Sequence, residues 1–125
     1  MDSTYVACVE RTASEVIDGE AVVINFDTKG YFGFNASATM VWSMLCAGPT
    51  TVGAATEALA EAYQRSGADV HDDVHALLAI LVTEGLAASV SDAPVATAPP
   101  SPTGPYTAPR VERYGTLEQL MLAGE

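Results

Sequence analysis

Positive charge is what this sequence has least of. Lys and Arg together number 5 among 125 residues, against 16 Asp and Glu, for a formal net charge of −11, and Lys29 is the single lysine. So acidic a surface repels phosphate backbones and anionic lipid, which excludes nucleic acid and membrane headgroups as expected partners. Cysteine is scarce too. Cys8 and Cys46 have no C-x-x-C spacing, so neither a disulfide framework nor a metal knuckle is expected, and both thiols read as buried. No apolar run approaches the roughly 18 residues of a membrane span, and Met1 to Glu10 lacks a signal-like stretch. A cytoplasmic protein is expected. There is no G-x-S-x-G elbow, G-x-x-x-x-G-K loop or dinucleotide fingerprint, so neither catalysis nor a cofactor is expected.

What is present is a short order of strands, then helices. Tyr5 to Glu10 alternate weakly. Ser14 to Asp18 and Ala21 to Asp27 flank Asp18-Gly19, a pair that favours a two-residue hairpin turn. A second turn at Asp27 to Gly30 leads to a third strand, Tyr31, Phe32, Gly33 and Phe34, with a close backbone approach at Gly33. Asn35 offers an N-cap for a helix carrying Ala38, Val41, Trp42 and Leu45 up to Gly48-Pro49. Thr50 or Thr51 caps a second helix with Val52, Ala55, Leu59, Ala62 and Tyr63 on one stripe. A third begins near Asp69, runs through Val70, Val74, Leu77, Leu78 and Leu81 to Gly85, and is followed by a closing segment, Leu86 to Val90.

A three-stranded antiparallel sheet followed by three helices describes an α+β winged helix-turn-helix over residues 1–90. From 91 to 105 the chain turns to Pro, Ala, Ser and Thr, a composition that suits a semi-stiff linker. At roughly 3.1 Å per extended residue it reaches across a small domain. Residues 106–125 regain apolar side chains, with Leu117, Leu120 and Met121 at helical spacing, and bring Arg110 and Arg113 to an otherwise acidic chain. A docking element is expected there.

Several constellations invite chemistry and do not sustain it. His71 and His75 stand four apart on the third helix, but no third ligand accompanies them, so no metal is expected. Asp72 and Asp73 suit a first helical turn for dipole reasons alone. A helix-turn-helix also suggests a transcriptional regulator, yet the segment Asp69 to Glu84 carries no Lys or Arg with which to meet DNA. What remains is the edge of the third strand, whose unpaired backbone can accept an added peptide strand, with side-chain pockets formed against the third helix. Ala76 and Ala79 leave room there. Against this stands the plainer possibility that Phe32 and Phe34 merely fill the core.

The run Asp18-Gly19-Glu20, Val23-Ile24-Asn25, Gly30-Tyr31-Phe32, Asn35, Val41-Trp42, Leu45, Asp73-Val74, Leu77-Leu78 and Leu81 to Gly85-Leu86 resembles the PqqD-like family. That resemblance, over roughly Val6 to Ser89, implies a winged-helix recognition element for RiPPs (ribosomally made, post-translationally modified peptides), binding a leader peptide beside the third strand. It implies a site of Tyr31, Phe32, Gly33, Phe34, Asp73, His75, Ala76, Ala79 and Ile80, and as partners a precursor leader and modifying enzymes such as a leader peptidase or cyclase. Tyr106, Pro109, Val111 and Gly115 are in turn similar to the lasso-peptide leader motif Y-x-x-P-x-L-x-x-x-G, followed by Leu117 and Leu120. No core peptide is recognisable after it, so an ordinary lasso precursor is not expected. Recogniser and recognised motif are thus expected on one chain, the tail docking in cis or into a partner in a swapped homodimer.

Overall fold

The structure, a computed structural model, describes residues 4–91 and 106–116. Asp18 and Gly19 both adopt positive φ, at 54° and 81°, as a two-residue hairpin turn matched to strand twist requires. They join β2 (Thr12–Ile17) to β3 (Glu20–Asn25), paired from Thr12↔Asn25 to Ile17↔Glu20. The next turn is organised by Asn25, which is buried. Its Oδ1 accepts from Asp27 N at 2.9 Å and Thr28 N at 3.3 Å, and its Nδ2 donates to Glu84 O at 2.9 Å. The chain then enters β4 (Gly30–Phe34), antiparallel to β3.

Asn35 caps α1 (Ala36–Ala47) by accepting from Ala38 N, and Gly48 follows the last turn. Thr51 caps α2 (Val52–Tyr63) in the same way. Ser66 caps α3 (Gly67–Thr83), accepting from Asp69 N at 3.2 Å, so the helix begins two residues before Asp69. Gln64, at φ 55°, ends α2 in the left-handed region.

The three helices and the antiparallel pairing make a mixed α+β fold, but the strands are more numerous than the expected three. β1 (Thr4–Ala7) pairs with both β5 (Thr50–Thr51) and β6 (Ala87–Val90) in one sheet, ordered β5-β1-β6. The second sheet runs β2-β3-β4-β7, its last member being β7 (Val111–Thr116). Strands of two to four residues are too short to display an alternating pattern, and their partners lie far away in sequence. The strand expected third is therefore β4.

Between the sheets and helices lies one core. Phe32, Phe34, Trp42, Leu45, Leu59, Leu77, Leu78, Leu81 and Leu86 are all buried within it, and Phe34 meets Trp42 edge-on at 5.5 Å between ring centroids. Thr39 ties α1 to the second sheet, because its Oγ1 accepts from the buried Ala21 N at 2.8 Å. The cysteines depart from expectation. Cys8 is half-buried and Cys46 is an exposed residue, although partial desolvation still pushes the Cys46 thiol up to about 11. No helix among the described residues is long and apolar enough to cross a membrane.

Candidate peptide-binding edge

β4 presents Phe32 and Phe34 inward and Tyr31 and Gly33 outward. The phenylalanine side chains are core, as the plainer reading held, while the strand's backbone is an edge left open by β3. That edge is occupied by β7. The register is Phe34↔Val111, Gly33↔Glu112, Phe32↔Arg113, Tyr31↔Gly115 and Gly30↔Thr116, with an irregularity between Tyr31 and Phe32 that leaves Tyr114 as an extra residue. Val111, opposite Phe34, packs against the hydrophobic core.

Ahead of the strand, segment 106–110 is held by the start of α1. Asn35 N donates to Arg110 O at 3.1 Å, while Asn35 Oδ1 accepts from Arg110 N at 2.9 Å and Asn35 Nδ2 donates to Ala108 O at 2.8 Å. Ser37 Oγ donates to Thr107 O at 2.6 Å. These contacts bracket Pro109, which lacks an N–H and needs no donor partner. One asparagine therefore caps a helix and grips a peptide backbone.

Tyr106 is a half-buried anchor of the segment. Its hydroxyl donates to Asp73 Oδ2 on α3 at 2.8 Å. Its ring meets Tyr63 edge-on at 5.2 Å, and the Arg65 guanidinium lies 5.2 Å from its centroid. Burial, and then the bond to Asp73, raise the Tyr106 pKa well above the ordinary phenol value, and burial raises that of Tyr63 as well. Arg113 reaches Glu84 at 3.9 Å, a long, partly exposed pair that contributes little in water.

Asp73 is thus the α3 residue brought to the segment. His75, Ala76, Ala79 and Ile80 are exposed on α3, and no polar or ring contact among the described residues joins them to 106–116. Leu117, Leu120 and nearly all of the 91–105 stretch lie outside the described residues. The His71 and His75 rings stack at 6.4 Å, and among the described residues no cluster able to hold a metal is formed. Sequence reasoning saw Asn35 as a cap and overlooked its second role, together with Ser37, Tyr63 and Arg65. An N-cap directly after an edge strand is the signal that pointed to Asn35.

Residues 20–87, more than half of the chain, match the family described as Coenzyme PQQ synthesis protein D (PqqD). Among solved structures, one described as TbiB1 in complex with the TbiA(beta) leader peptide is 26% identical with a TM-score of 0.60, covering 66% of this chain and 95% of that one. No curated protein matches. Family match, solved relative and the fold just described agree: the chain belongs to the PqqD family, as a PqqD-like RiPP recognition element.

Proposed function

We propose that residues 1–90 form a winged-helix domain that binds a leader peptide by strand addition to β4 and delivers it to modifying enzymes in lasso-type or related peptide biosynthesis, and that residues 106–125 are its own leader-like ligand. The observation that carries this is the pairing of β7 along β4 with Tyr106 seated between Tyr63, Arg65 and Asp73. The solved relative, a protein in complex with a leader peptide, supports leader binding as the role of the domain. Main-chain hydrogen bonds along β4 supply affinity, and the anchors Tyr106 and Val111 supply selectivity. The site is one of binding rather than catalysis.

The tether matters energetically. A ligand on the same chain acts at an effective concentration toward the millimolar range, so a separate leader must compete with it. The test uses the full chain with its own tail disabled by Tyr106→Ala and Val111→Glu, titrated into a labelled peptide of residues 106–116 and followed by fluorescence anisotropy. Micromolar or tighter binding, lost when the peptide itself carries Tyr106→Ala, is expected; no binding of the unaltered peptide overturns the proposal. The winged-helix regulator alternative predicts salt-sensitive duplex binding instead, which the net charge of −11 opposes.

A further inference from the structure

We infer that Tyr114 is a specificity-determining residue of the leader-like segment, and that Gly33 is its receptor. Together they favour peptides carrying a planar aromatic side chain immediately before the motif glycine. The inference rests on the proposed function and narrows it to a class of partner.

Three features of the strand pair meet at this point. The register opposes Tyr31 to Gly115 and Phe32 to Arg113, so Tyr114 is a bulged residue, and the bulge resets the alternation of faces along β7. The Tyr114 ring lies directly on Gly33. A Cβ built at Gly33 would fall on the outer end of the Tyr114 ring, nearest its hydroxyl and within 2.5 Å of Cε2 and 2.7 Å of Cζ, so an added side chain displaces the ring. Gly33 has no such constraint from its own backbone, since its φ is not positive, so the glycine is explained by the ring above it rather than by a turn. Lastly, Tyr31 and Tyr114 contact each other at 5.8 Å between centroids, tilted by 40°. Tyr31 is opposed by a glycine on β7, and Tyr114 covers a glycine on β4, so each ring occupies the space that the other strand leaves empty. An aromatic covering a strand glycine restores contact that the missing side chain forfeits.

The consequence is selectivity at a position the leader motif leaves open. The ring forms one wall of a cleft of about 760 Å³ on the outer sheet face, lined also by Ile17, Val22, Asn35 and Arg110. Tyr114 remains 55% exposed, so the contact is one of the ring's outer end on backbone rather than deep burial, and Phe keeps the Cε2 and Cζ part of it without the hydroxyl. A peptide with a β-branched or small residue here still pairs with β4 but leaves Gly33 bare. A residue deleted between Val111 and Gly115 removes the bulge and turns the ring away.

The experiment uses full chains and two labelled probes, the peptide of residues 106–116 and the same peptide with Tyr114→Ala. The tethered tail competes equally with both, so the ratio of their apparent dissociation constants reports the contact. In the unaltered chain the aromatic probe is expected to bind roughly fivefold tighter, as one well-placed aromatic contact gives. In a Gly33→Ala chain that ratio is expected to fall to unity or invert, and a Tyr114→Phe probe is expected to bind the unaltered chain with an affinity between those of the other two probes. A ratio of one on the unaltered chain, or an unchanged ratio on Gly33→Ala, overturns the inference. Should Gly33→Ala fail to fold, the contact is read independently with a Tyr114→Ala tail in the full chain, which must let the aromatic probe in more readily. A Tyr106→Ala probe separates the two levels: if it binds as tightly as the unaltered peptide, the docking mode itself fails, whereas its weakening alongside an indifferent Tyr114→Ala probe sinks the specificity claim alone.

Discussion

Asn35 shows how much one side chain can carry. Its Oδ1 accepts both the Ala38 N–H of α1 and the Arg110 N–H of the tail, and its Nδ2 donates to Ala108 O. Asn35→Asp keeps the acceptor for the helix and loses the donor, and it sets a carboxylate against the Ala108 carbonyl. It is expected to leave the thermal midpoint within a few degrees of the parent while exposing the tail amides to hydrogen exchange. Asn35→Ala removes the cap as well, at about 1 kcal/mol of stability, visible as a lower urea midpoint by circular dichroism. Full tail protection in Asn35→Asp, with protection and stability lost together only in Asn35→Ala, would show that Asn35 only caps. Tyr106 supplies a pH dependence at the same scale. Its pKa is raised by burial and by the Asp73 bond, so the docked tail holds the phenol proton more firmly than a free one. Docking is complete below the free value of 10.0 and weakens as pH rises above it, by up to tenfold per pH unit for a single titrating group. Binding of the labelled 106–116 peptide to a chain whose own tail carries Tyr106→Ala and Val111→Glu, followed between neutral pH and the onset of alkaline unfolding, measures this, and a Tyr106→Phe peptide should remove that part of the dependence.

At the level of elements, the α1 to β3 link is the least obvious from sequence. Thr39 would pass for a polar residue on a helix, yet it is buried and its Oγ1 is the acceptor for Ala21 N. Thr39→Val preserves shape and orphans that N–H, which costs about 1–3 kcal/mol; the urea midpoint is expected to fall with little change in its slope, and Thr39→Ser to retain most of the stability. The hairpin at Asp18-Gly19, the third strand and the three helices were legible because each is specified locally, by a turn pair or by a stripe such as Val70, Val74, Leu77 and Leu81. The β5-β1-β6 sheet was not, since Thr50–Thr51 and Ala87–Val90 find Thr4–Ala7 only through distant contacts. Part of the edge was legible as well. The motif spacing brought Tyr106 and Val111 forward, whereas the face on which Tyr114 falls depends on a bulge that no periodicity announces.

For the whole molecule the unusual quantity is charge. Arg110 and Arg113 are two of only 5 basic residues in a chain of net charge −11, and both belong to the tail. The docked segment 106–116 carries Arg110 and Arg113 against Glu112, a net charge of +1, so its attraction to the acidic domain is weak and is not built on one ion pair: Arg113 stands 3.9 Å from Glu84, and Arg110 pairs with Glu112 of its own segment at 3.2 Å. Salt at about 1 M, where the screening length is about 3 Å, is expected to weaken docking of a separate peptide by only a few-fold, since strand pairing and the Tyr106 seat are unaffected. The same reasoning bears on whether the tail docks on its own domain or a neighbour's. Both use identical contacts, so only the tether distinguishes them, and an effective concentration toward the millimolar range favours the intramolecular arrangement at ordinary protein concentrations. Sedimentation velocity from micromolar to near-millimolar chain is expected to show a monomer of 13.0 kDa with a docked tail throughout. A dimer that persists on dilution and dissociates in a Val111→Glu tail variant would instead place β7 on the partner's β4, and the competition a free leader faces would then depend on protein concentration.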